Sequence, residues 1–106
     1  MFFELRQYRI KNGQRDNWVR LMETEIIPFQ ASHGMVVVGS FIGEEEPDLY
    51  VWLRRFENEE ERVRQYHDVY QSERWLQAIK PQIDVMLDRE TMQITRLTPT
   101  AKSMLR

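Results

Sequence analysis

Apolar and polar residues alternate through residues 2–10, Phe-Phe-Glu-Leu-Arg-Gln-Tyr-Arg-Ile, and the aromatic content predicts a strand. One face of that strand carries Glu4, Arg6, Tyr8 and Ile10, and the other Phe3, Leu5, Gln7 and Arg9. Lys11-Asn12-Gly13 reads as a turn. The period then becomes helical over 14–32, where Trp18, Leu21, Met22, Ile26 and Phe29 form one continuous stripe. Pro28 should kink this helix or end its regular part, because it brings no N–H and its ring crowds the preceding turn. His33-Gly34 is the expected stop, with glycine supplying a left-handed cap.

Met35 to Ile42 is a continuous apolar run, expected as a strand buried on both faces. Residues 43–48, Gly-Glu-Glu-Glu-Pro-Asp, form a solvated hairpin loop. The next strand, 49–56, puts Tyr50, Trp52, Arg54 and Phe56 on one face and Leu49, Val51, Leu53 and Arg55 on the other. A helix follows at about 59–71, with Asn58 as its N-cap, Glu61 reaching back in a capping box, and Val63, Tyr66 and Tyr70 as its apolar stripe. Ser72 caps a third helix, 73–87, with Trp75, Ile79, Ile83, Met86 and Leu87 inward and Pro81 interrupting it. Residues 90–97 alternate as a last strand, and a loose tail runs from Pro99.

The order strand, helix, strand, strand, helix, short helix, strand is a split βαβ unit repeated. It predicts an α+β, ferredoxin-like βαββαβ sandwich with helices on one face of a four-stranded antiparallel sheet. The free face would expose Tyr50 and Trp52, a large apolar patch for a monomer. A second copy packed sheet to sheet would cover it, giving a homodimeric α/β barrel with an enclosed cavity.

Composition narrows the classes. A chain of 106 residues, 42% hydrophobic and 30% charged, suits one domain spanning 1–106. A net charge of −2 makes nucleic acid an unexpected partner. The absence of cysteine excludes disulfide and thiolate chemistry and fits a reducing, cytoplasmic setting. No apolar run reaches membrane-spanning length, and the start of the chain lacks a signal-peptide core.

Candidate chemistry is sparse. Two histidines and no cysteine give no metal-ligand spacing, the glycines form no phosphate loop, and no cofactor is expected. His33 is a candidate general base, with a near-neutral pKa suited to proton abstraction; a helix-end histidine that complements the dipole is the competing reading. Arg6, Tyr8, Trp52 and Arg54 form a candidate ligand-binding set on the sheet face away from the helices. Arginine forks a carboxylate, tyrosine donates, and tryptophan packs a flat ring. Glu4 shares that face, so a salt-bridge network that fixes the dimer is the alternative.

The pieces Glu4-Leu5-Arg6-Gln7-Tyr8, Ile27-Pro28, His33-Gly34, Val51-Trp52-Leu53-Arg54-Arg55-Phe56, Glu60-Glu61-Arg62 and Tyr70-Gln71-Ser72-Glu73-Arg74-Trp75, in this order and spacing, resemble the NIPSNAP family of dimeric α/β-barrel proteins. The likeness runs from residue 4 to about 97. Arg54 stands where many members carry Trp, with Trp52 two residues earlier, a variant that looks like a bacterial subgroup. The resemblance implies the fold and the dimer. The wider superfamily includes cofactor-free monooxygenases, haem enzymes and isomerases, which sets only a prior on function. Two readings therefore stand: a small-molecule-binding barrel acting on an aromatic or anionic metabolite, as a cofactor-independent enzyme if it is one, or a non-catalytic binding and interaction module.

Overall fold

Asn58 begins the helix that the sequence announces most clearly. In the computed structural model, which describes residues 1–106, Asn58 Oδ1 accepts from the Glu61 backbone N–H at 2.8 Å. The returning arm differs from a standard box: Glu61 Oε2 accepts from the Glu57 N–H at 2.6 Å, one residue before the cap. Helix α3 (Glu59–Tyr70) then runs with Glu59, Glu60 and Glu61 at its positive end. Asn58→Ala is expected to cost about 1 kcal/mol, read as a lower denaturation midpoint; an unchanged midpoint would mean the helix does not depend on this cap.

Four strands form one antiparallel sheet in the order β2-β3-β1-β4. They are β1 (Phe2–Ile10), β2 (Val36–Ile42), β3 (Leu49–Phe56) and β4 (Leu87–Leu97). This is the ferredoxin-like arrangement, with the helices on one face. Strand β4 starts at Leu87 rather than 90, because Leu87 pairs with Ile10 instead of closing the third helix. Strand β2 lies at the sheet edge, so Val36, Phe41 and Ile42 are about half exposed rather than buried on both faces. A Cβ at Gly39 in β2 would meet the Phe41 ring, which is exposed and would have to swing aside.

The first helical rod is α1 (Arg15–Leu21), a π segment (Met22–Ile26) and α2 (Ile27–Ser32). The last repeats the pattern with a π segment (Trp75–Ile79) followed by α4 (Lys80–Asp84). Pro28 and Pro81 each sit at the start of the α segment after a π segment. Widening the ladder just before a residue that has no N–H keeps the rod continuous. The first rod ends as expected: Gly34 adopts φ +88, Gly34 N–H donates to Ala31 O at 3.0 Å, and Met35 N–H donates to Gln30 O at 3.0 Å. Ser72 Oγ accepts from the Trp75 N–H at 3.2 Å, the cap expected there.

Contrary to the free face expected, the helices cover Tyr50 and Trp52, so this pair leaves no apolar patch for a second copy to bury. Trp18 packs edge-on against Tyr8 and Tyr50, with centroids 5.7 and 6.1 Å away. Tyr50 and Trp52 are thereby buried within one chain. Val63 is exposed, and Gln65 and Val69 take the buried positions on α3. Gln65 reaches the core because its Nε2 donates to Gly34 O at 2.9 Å and to Glu61 Oε1 at 3.1 Å.

Candidate functional site between sheet and helices

Strand register builds the site. Pairing of β1 with β3 sets Glu4 opposite Arg54, Arg6 opposite Trp52 and Tyr8 opposite Tyr50, all on the helix side. The candidate set therefore points toward the helices, not away from them. The reason is that the tyrosines of α3 complete its hydrogen bonds.

Arg54 has no exposed surface, and neither does Glu4. Arg54 Nη2 donates to Glu4 Oε1 at 2.6 Å and to Tyr66 Oη at 2.7 Å. Its Nη1 donates to Tyr70 Oη at 2.8 Å and Gln30 Oε1 at 3.1 Å. Glu4 Oε2 accepts from Arg62 at 2.7 Å, and Tyr66 Oη donates to Oε1 at 2.5 Å. Burial alone would raise the Glu4 carboxyl pKa; Arg54, Tyr66, Arg62 and Arg6 outweigh it and hold it at about 2. Burial likewise pushes the Tyr66 hydroxyl up to about 12, against the pull of Arg54 and Arg6, so it remains protonated and donates.

Arg6 links this network to a cavity. Its Nε donates to Glu4 Oε1 at 3.3 Å, its Nη2 to Tyr66 Oη at 2.8 Å and its Nη1 to Tyr8 Oη at 3.0 Å. The cavity, about 150 Å³, lies between the sheet and the helical rods. Arg6, Tyr8 and Trp52 line it, together with Trp18, Tyr70 and Trp75. Met22, Ile26 and Trp75 come from the two π segments, so both irregular turns face this space. Such turns recur at functional sites.

The sequence pattern of the NIPSNAP family matches residues 3–102. The chain belongs to the NIPSNAP family. It is similar to a NIPSNAP family protein with unknown function from Agrobacterium tumefaciens, at 29% identity over 100% of this chain and 94% of the other, with a TM-score of 0.89. A second NIPSNAP family protein from Agrobacterium tumefaciens shares 26% identity over 99% of this chain and 98% of its own, with a TM-score of 0.87. An antibiotic biosynthesis monooxygenase shares the fold at 14% identity, covering 94% of this chain and 99% of its own, with a TM-score of 0.69. No curated protein matches.

Within this NIPSNAP chain the candidate residues divide. Arg6, Tyr8 and Trp52 line the cavity, whereas Arg54 stands behind it in the ion-pair network. His33 follows the end of α2, with its ring edge-on to Phe29 at 4.9 Å, and is not among the lining residues. That position fits the helix-end reading and gives the general-base role no geometric support. Trp18 and Trp75 were legible as apolar stripes but not as cavity walls. Tyr66 and Tyr70 belong to the apolar stripe of α3, and the same spacing stacks their two hydroxyls above Arg54. No helix is long and apolar enough to cross a membrane.

Proposed function

We propose that this NIPSNAP protein binds a small aromatic or anionic metabolite in the cavity between its sheet and its helices. The observation that carries the reading is the lining itself: Arg6, Tyr8 and Trp52 converge from two paired strands on one partly open, aromatic-walled space. A metabolite-library thermal-shift screen tests it. A specific ligand stabilises by mass action, and the shift should shrink in Tyr8→Phe. A ligand whose shift is the same in Tyr8→Phe and Trp52→Ala binds elsewhere and contradicts the reading.

The protein works as a homodimer in this proposal, in a cytoplasmic setting consistent with its lack of cysteine. The support is now the outer sheet face, where Leu5, Val51 and Leu53 are only partly covered and Val36, Phe41 and Leu97 are exposed. Two such faces would bury each other, and an obligate interface of this kind should bury at least about 2,000 Å² in total. Sedimentation at micromolar concentration should show a dimer, and Leu53→Glu should weaken it. A stable folded wild-type monomer would contradict the dimer.

A further inference from the structure

The wall of the cavity offers hydrogen-bond donors and very little else. Its polar side chains are those of Arg, Lys, Tyr and Trp, with no Asp, Glu, Asn or Gln among them. The indole N–H groups of Trp18 and Trp52 are buried without a protein partner and have almost no surface of their own on the cavity, so the accessible donors are those of Arg6 and Tyr8. Tyr8 Oη accepts from Arg6 and keeps its own proton to donate. Arg6 spends three of its N–H bonds on Glu4, Tyr8 and Tyr66, which leaves one on each terminal nitrogen. A ligand that satisfies this wall has to bring acceptors.

Charge selects the kind of acceptor. Glu4 is the single buried carboxylate of the network, and it faces Arg6, Arg54 and Arg62. Arg62 is also paired with Glu59 near the surface, and the buried part of the cluster, Arg6 and Arg54 against Glu4, carries a surplus of positive charge where a charge is poorly screened. At the rim the balance is different. Lys80 and Arg89 also line the cavity, but Asp84 holds both, each at 2.8 Å. An anion is drawn inward to Arg6 rather than held at the entrance.

Shape selects the rest. All three tryptophans of the chain line the cavity. A space of about 150 Å³ is of the size that accepts a single six-membered ring. Resting on the reading that this cavity is a ligand site, we infer that its ligand is a one-ring aromatic carboxylate, with the carboxylate on Arg6 and Tyr8 and the ring among the tryptophans.

Benzoate and benzamide discriminate, because they share an outline and differ in charge. Both would be titrated against the full chain, followed by its intrinsic tryptophan fluorescence and by calorimetry. Benzoate should bind at least about tenfold more tightly than benzamide and than acetate, which lacks the ring. Arg6→Met should remove that preference while leaving benzamide unaffected. Because Arg6 also touches the buried network, Tyr8→Phe, which keeps the ring, serves as the second variant and should weaken benzoate more than benzamide, since the bond to a carboxylate is charge-assisted. Equal affinity for benzoate and benzamide overturns the carboxylate assignment, and equal affinity for benzoate and acetate overturns the aromatic one. Binding of neither aromatic probe overturns the assignment as a whole, while the cavity reading is then decided separately by the library screen and its Tyr8 and Trp52 variants.

Discussion

Arg54→Met is expected to destabilise the fold by about 3 kcal/mol or more, since breaking a buried ion pair strands its partner. Arg54 lies wholly inside and holds Glu4, Tyr66, Tyr70 and Gln30 at once. Its loss leaves Tyr70 and Gln30 short of a donor and Glu4 with only Arg62, Arg6 and the Tyr66 hydroxyl. Against a typical total stability of about 5–15 kcal/mol, that is a large fraction. Urea denaturation reads it as a lower midpoint at unchanged slope. The double variant Glu4→Gln/Arg54→Met should cost less than the sum of the two single ones, because the groups act as a unit. An unchanged midpoint for Arg54→Met would show that the network carries no stability.

Acid should unfold the protein through the same network. The Glu4 carboxyl sits at about 2 in the folded chain, against a usual 4.5, so the folded state favours its ionised form. A depressed carboxylate pKa contributes stability that is fully present above the unfolded value. That stability is lost as pH falls through the folded value. The window is therefore from about 4.5 down to about 2, and the contribution at neutral pH is on the order of 3 kcal/mol. Stability of wild type should fall more steeply across that window than stability of Glu4→Gln. Parallel profiles would mean that another carboxylate governs acid unfolding.

The order of elements, the Asn58 and Ser72 caps, the glycine stop at Gly34 and a departure from regular α-helix near both prolines were all legible, because each is a local matter of backbone bonds. The choice of sheet face was not. Both rows of β1 mix apolar and charged side chains, Glu4, Arg6, Tyr8 and Ile10 against Phe3, Leu5, Gln7 and Arg9, so alternation alone cannot say which row meets the helices. Burying Glu4 and Arg54 is tolerable only because Tyr66, Tyr70 and Gln30 arrive from two other elements, and those partners lie far away in sequence. The same limit misplaced β2. Its apolar run reads as a strand buried on both faces, but the sheet order puts it at the edge. Of the candidate residues, the types were informative and the roles depended on depth: Arg6 reaches the cavity, and Arg54, two positions beyond Trp52, does not.

We propose the space walled by Arg6, Tyr8 and Trp52 as the place where this protein holds its ligand. A crystal structure of the protein with the strongest binder from the screen tests it most directly. Density is expected between the sheet and the helical rods, against Trp18 and Trp52, with a ligand oxygen within hydrogen-bond distance of Arg6 or Tyr8. Density on the outer sheet face, with the cavity walls unchanged and nothing between them, would contradict it.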